Sequence, residues 1–293
     1  MRITVLIFSA LLFAWTAFAE STLERIEKSG RLKIGFRPDA YPFSYFNNKT
    51  KQHEGFSVDM ANMLANNLSK RFGKKITITA IGVKADQRLE AVISGKVDIE
   101  MGSSTYSFER ERNVDFSLFF FQSETTFMTL SDSGVTKLKH LTGKKIGCAK
   151  GTSTLSEIQH LVKSGHIHKG SIKIFPTISS GINALKDRTI DAYATDRSLL
   201  QGIKSSDRNP DSLHILNEAV AYDPYAYIVK ENDSDFLDFV NSTIRWSVLS
   251  GQYRIMYEKW MGKTSASEIK MPPSLREYLN IVSIPMENDW YKK

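Results

Sequence analysis

From residue 30 onward the apolar positions switch repeatedly between a spacing of two and a spacing of three to four. Leu32, Ile34 and Phe36 alternate with other residues, which predicts a strand over 32–37 running into a loop stiffened by Pro38 and Pro42. After Gly55, Met60, Met63, Leu64 and Leu68 recur at helical spacing and predict a helix with both methionines in the core. The stretch 76–81 alternates again, 86–93 reads as a helix with Leu89, Val92 and Ile93 on one face, and 97–101 reads as a short strand. Ser21 and Glu24 have capping-box spacing and Gly30 is a stop signal, so a short helix precedes the first strand. Strands alternating with helices in this order predict a parallel sheet with crossover helices, an α/β class.

The cycle then repeats. Residues 118–121 and 125–130 predict a strand that leaves the first sheet, followed by a strand over 145–149 and a helix from Thr154, whose spacing to Glu157 is again that of a capping box. A strand at 173–175, a helix at 180–186, a strand at 190–194 and a return strand at 225–229 follow, then helices over 233–250 and 252–260 and a short one around 275–281. Two open sheets joined by two crossings make a hinge, and the cleft between two lobes is a favoured small-molecule site. The expected division is a lobe of 20–127 with 226–293, and a second lobe of 128–225.

Composition supports a folded, two-lobed chain: 293 residues, 41% hydrophobic and 24% charged, suffice for two ordinary cores. Residues 1–19 read as a cleavable secretory signal, with Arg2, an apolar run, and Ala17-Phe18-Ala19 before Glu20. Arg2 is the only charge ahead of residue 20, so cleavage changes the formal charge from +7 to +6. The signs are interspersed, which permits an anionic ligand and gives no reason to expect nucleic acid. Cys148 is the only cysteine, so no intramolecular disulfide forms and stability rests on burial. His166 and His168 lack neighbouring ligands for a metal, and no P-loop, dinucleotide fingerprint or nucleophile elbow is present, so no cofactor is expected.

The candidate chemistry centres on residues 102–117, GSSTYSFERERNVDFS. A strand ending in Gly102 and the hydroxyls Ser103, Ser104 and Thr105 leaves backbone groups free where open α/β sheets bind ligands. Arg110, five residues on, offers a planar fork that suits a carboxylate. Arg37 ends the first strand, Gly151-Thr152-Ser153 precedes a helix start and so forms an anion-favouring turn, and Asp196 stands at a strand end of the second cycle.

The arrangement T-x-x-x-E-R-x-x-x-V-D-F-S over 105–117 resembles the signature of the periplasmic solute-binding proteins for polar amino acids, the extracellular components of ABC importers. The resemblance extends over about 22–262 and implies a type II periplasmic-binding-protein fold, two lobes each built on an open sheet flanked by helices and joined by a two-strand hinge. It implies that Arg110 holds the ligand α-carboxylate, that Ser103 and Thr105 help hold the α-amino group, and that Asp196 pairs with the ammonium. Phe36-Arg37, Pro42-Phe43-Ser44-Tyr45, Asp86-Gln87-Arg88 and Gly102-Ser103-Ser104-Thr105 are most similar to the glutamate/aspartate-binding branch. There Arg37 and Arg88 would take the distal carboxylate, and Thr152 would reach the ligand from the second lobe. One carboxylate facing three guanidiniums suits a ligand with one amine and two carboxylates. The implied partners are a small-molecule amino acid and membrane permease subunits, with the protein a periplasmic monomer and not an enzyme.

The chain departs from that branch where Ala85 replaces a Ser, Ala149 replaces a Thr, and a His expected near Ile178 is absent, with Ser179 or Ser180 as substitutes. All three changes fall on the distal end of the ligand, so binding of another polar amino acid stays open. The fold also hosts cyclohexadienyl (prephenate/arogenate) dehydratases. Such an enzyme needs a placed general acid or base, and Asp196 is better explained as an ammonium partner.

Overall fold

In the computed structural model, which describes residues 20–283, 285–287 and 290–292, the first helix starts where its capping box places it. The Ser21 hydroxyl accepts the Glu24 backbone N–H, the Glu24 carboxylate accepts the Ser21 N–H, and Gly30 at φ +68° ends the helix. The predicted signal, 1–19, lies outside the described residues.

In chain order the first half comprises α1 (Thr22–Ser29), β1 (Arg31–Phe36), a ribbon of β2 (Asp39–Ala40), β3 (Ser44–Asn47) and β4 (Gln52–Glu54), then α2 (Phe56–Phe72), β5 (Thr77–Gly82), α3 (Arg88–Ile93), β6 (Ile99–Glu100), α4 (Phe108–Glu111) and β7 (Val114–Phe116). The second comprises β8 (Phe121–Leu130), β9 (Lys145–Ala149), α5 (Ser153–Lys163), β10 (Ser171–Phe175), α6 (Ile178–Lys186), β11 (Ala192–Asp196), α7 (Arg197–Ser205), β12 (Leu213–Ile215) and β13 (Ala221–Tyr225). The chain then returns through β14 (Ile228–Lys230) to α8 (Ser234–Leu249), α9 (Gln252–Met261) and α10 (Pro273–Val282).

One sheet has the order β5-β1-β6-β14-β7, the other β10-β9-β11-β8-β12 with β13 also paired to β8. Within each, three strands are parallel, as the alternation predicts, and the strands belonging to the crossings run antiparallel to them. The crossings pair with each other over Phe121–Thr125 opposite Ala221–Tyr225. Phe43, Phe120, Phe121, Tyr225 and Tyr227 are buried against them, with Phe120 and Tyr227 stacked at 4.1 Å. Burying so many rings supplies a large apolar area where the two lobes meet.

The structure corrects several boundaries. The helix expected from Thr154 begins at Ser153, with Thr152 as its cap, because the Thr152 hydroxyl accepts the Leu155 N–H at 3.3 Å. The single return strand expected over 225–229 is two strands, β13 and β14, one in each sheet. Of the apolar face Leu89, Val92 and Ile93, Val92 is buried but Ile93 is 43% exposed, and α3 buries Arg88 and Ala91 beside Val92. Met60 is buried, as predicted, and Met63 is partly buried against the same core.

Candidate ligand-binding site

Five elements end at one place. Arg37 follows β1, Arg88 opens α3, Ser103 and Thr105 follow β6, Thr152 caps α5, and Asp196 ends β11. All lie beyond the carboxyl ends of strands, where crossover connections leave the sheet edge open. These six residues, with Ser153, Ile178, Thr195 and Leu199, line a cavity of about 10 Å³, room for no more than one water. Arg110 lies outside that lining. Ser107 caps α4 by accepting the Arg110 N–H at 3.3 Å, and the Arg110 side chain turns back to donate to the Thr105 carbonyl at 2.6 Å and the Gly151 carbonyl at 3.4 Å.

The Gly151 carbonyl also accepts from Arg88 at 3.3 Å, so two guanidiniums from one lobe converge on one backbone oxygen of the other. Gly151 has φ +74°, and a Cβ there would lie 2.4 Å from Asp86 Cα. Only glycine allows this approach, which marks the lobes as closed. Gly102 is needed for a second close approach: a Cβ would meet Glu100 Oε1 at 2.4 Å and Arg37 Cγ at 2.8 Å.

The charge balance differs from the sequence expectation of three guanidiniums facing one carboxylate. Arg37 Nε and Nη2 donate to Asp39 Oδ1 at 3.0 and 2.7 Å. Arg88 donates to Ser104 at 3.2 Å, and Ser104 donates to the buried Glu100 carboxylate at 2.6 Å. Asp223 accepts from Thr125 at 2.7 Å, Thr105 at 3.2 Å and Ser153 at 3.5 Å. Asp196 accepts from Thr154 at 3.4 Å and from the Tyr225 hydroxyl. Three guanidiniums therefore share the site with four carboxylates. Asp39, Glu100 and Asp223 carry no distinguishing local spacing; even Glu100 stands beside a second acid, Asp98, in the strand-like run 97–101.

Burial dominates the electrostatics. It raises the Glu100 carboxyl against the pull of Arg88 and Ser104, and raises Asp196 against the Tyr225 hydroxyl and the guanidiniums. Asp223, buried and next to the Asp196 charge, is pushed up to about 7. Burial and the neighbouring Arg110 push the Arg88 guanidinium down to about 9, still charged at neutral pH. Arg88 Nε, Glu100 Oε1 and Ser103 Oγ are buried with no hydrogen-bond partner among the described residues. Each such group is unfavourable until a polar partner reaches it.

A larger cavity, about 810 Å³, lies between α9, α10 and the segment joining them. Its charged residues, such as Arg254, Glu258 and Arg276, are exposed, so they lack the desolvated, convergent arrangement of the small cavity.

Two sheets, a pair of antiparallel crossings and a charged cavity closed between lobes define a two-lobed binding fold. Residues 32–263 match the bacterial extracellular solute-binding proteins, family 3, and the chain belongs to that family. It is 28% identical over 245 residues to a glutamate/aspartate import solute-binding protein of Salmonella typhimurium, covering 83% of this chain and 80% of the relative. It is 29% identical over 211 residues to a glutamine-binding protein of Geobacillus stearothermophilus, covering 72% and 76%. Among solved structures it is similar to the solute receptor for L-cysteine of Neisseria gonorrhoeae, with a TM-score of 0.72, 25% identity, and 82% and 93% coverage. The fold is the type II periplasmic-binding-protein fold, and the chain is an amino-acid solute-binding protein of the ABC-importer kind, not an enzyme.

Proposed function

We propose that residues 20–127 with 226–293 and residues 128–225 form two lobes that close on a free acidic amino acid, glutamate or aspartate, in the periplasm and deliver it to the permease subunits of an ABC importer. In this reading Asp196 takes the ammonium, with Ser103 and Thr105 beside it. Arg110 takes the α-carboxylate, Thr152 and the first turn of α5 face it from the second lobe, and Arg37 with Arg88 receive the side-chain carboxylate. The protein acts as a monomer, exported by cleavage after residue 19.

The observation that carries the reading is the convergence of Arg88 and Arg110 on the Gly151 carbonyl. A backbone oxygen occupies the place between lobes where a carboxylate oxygen would be better matched to two cationic forks. The Ser103 hydroxyl and Arg88 Nε, without a hydrogen-bond partner among the described residues, support it further. The cavity is too small for any amino acid, so entry requires the lobes to part and binding requires them to reclose. A neutral side chain such as glutamine's is the second reading, favoured by the hold of Asp39 on Arg37.

Isothermal titration of ligand-stripped protein with glutamate, aspartate, glutamine, histidine and arginine tests both. The acidic reading expects tight binding of glutamate or aspartate, loss of all binding in Arg110→Ala, and selective loss of acidic ligands in Arg37→Ala. Equal losses for every ligand in Arg37→Ala would remove Arg37 from the side-chain role.

A further inference from the structure

The Arg37 guanidinium, 3% exposed and lining the cavity, is already matched by a carboxylate of its own chain. Asp39 lies two residues on, in β2, and its Oδ1 accepts from Arg37 Nε and Nη2. Its other oxygen, Oδ2, accepts the backbone N–H of Ile178 at 3.2 Å. Ile178 is the first residue of α6 and lines the same cavity. Asp39 thus joins an arginine of one lobe to an unpaired helix-end donor of the other. A carboxylate gripped by a guanidinium and a helix N-terminus is the environment in which a ligand's side-chain carboxylate would be held.

We propose that Asp39 is an internal surrogate for the side-chain carboxylate of the ligand, and that it sets how strongly the cleft prefers acidic amino acids over their amides. The inference rests on the amino-acid reading of this site and deepens it by naming a residue that decides between substrate classes. An acidic ligand reaches Arg37 only by displacing Asp39 or by lying beside a second negative charge, and like charges placed together in a buried site are strongly unfavourable. An amide-bearing ligand brings no second charge and can donate its own N–H to Asp39 without displacing it. Ile178 and Leu199 add no compensating donor side chain at this end, and Ala85 and Ala149 add none either. Ser104 is engaged as well, accepting from Arg88 at 3.2 Å and donating to the Glu100 carboxylate at 2.6 Å.

The test titrates the wild type, Asp39→Asn and Asp39→Ser with glutamate, glutamine, aspartate, asparagine and alanine. Asparagine at this position keeps an acceptor for the Ile178 N–H, and serine removes the side chain's reach, so the two variants separate loss of charge from loss of the contact. Both should shift the affinity ratio of acid to amide toward the acid by roughly ten-fold or more. Alanine, which does not reach Arg37, should bind with nearly unchanged affinity. Thermal melting of each variant confirms that it is folded before titration. A ratio unchanged in both folded variants overturns the role of Asp39 and leaves the amino-acid site standing. Failure of the wild type to bind any amino acid overturns the site reading and this assignment together.

Discussion

Replacing Asp223 with Asn should change the pH dependence of stability in a direction that follows from the site. Asp223 is 1% exposed, sits on the crossing strand β13, and faces Thr105, Thr125 and Ser153 as well as the charge of Asp196. Burial first, and then Asp196, push its carboxyl up to about 7 from 3.8. Between those two values the folded protein holds a proton that the unfolded chain has released. Stability therefore falls as pH rises through the window, and the full penalty is present above the folded value. About three units at 1.36 kcal/mol each give an upper limit of about 4 kcal/mol; because Asp196 shares the ionisation, roughly 2 kcal/mol is the better figure.

Asparagine carries no such penalty, and it loses about 1 kcal/mol of hydrogen bonding that does not depend on pH. Urea unfolding of both proteins from about pH 5 to about pH 8 should show the variant gaining on the wild type as pH rises, by about 2 kcal/mol over the window. Parallel curves would refute the reasoning. They would mean that Asp223 is ionised throughout, stabilised by the three hydroxyls more than burial opposes it.

Two further outcomes follow from the same geometry. Asp196→Asn should weaken amino-acid binding by about 3 kcal/mol, on the order of 100-fold, while leaving the melting temperature unchanged or raised, because burial already disfavours the Asp196 charge; a parallel loss of stability and affinity in calorimetry would count against an ammonium site. Gly151→Ala should hold the lobes apart, since its Cβ would lie 2.4 Å from Asp86 Cα, and small-angle scattering with saturating ligand should report a larger radius of gyration than for the wild type; an unchanged radius would show that the Gly151 contact is not needed for closure.

The fold was legible because it is written in local spacing. The capping box at Ser21, the alternation in 32–37 and 145–149, and the helical repeat after Gly55 each need only a few neighbouring residues to be read. What stayed hidden depends on partners distant in sequence. The ribbon β2–β4 has short strands with partly exposed faces and so no clear alternation, and α7 directly follows β11 with no break to announce it. The Thr152 hydroxyl, expected to reach the ligand, also caps α5, a role the neighbouring Thr154 spacing conceals.

The site was half legible for the same reason. Arg37, Arg88, Ser103, Thr105, Thr152 and Asp196 can each be picked out singly as strand-end or helix-start groups, and the structure brings them to one cavity. Their counter-charges could not be picked out, because neutralisation depends on strand register. Thr125 of β8 has Asp196 opposite it on β11 and Ala221 opposite it on β13. That pairing sets Asp196 and Asp223 near each other although 27 positions separate them in the chain. Counting guanidiniums along the sequence thus overstates the positive charge a ligand would meet. Arg37 is the clearest case, since the residue that neutralises it is only two positions away and still reads, in sequence, as an ordinary turn aspartate after a proline. The affinity of such a cleft for an anion is set less by how many arginines line it than by how many are still uncommitted when the lobes close.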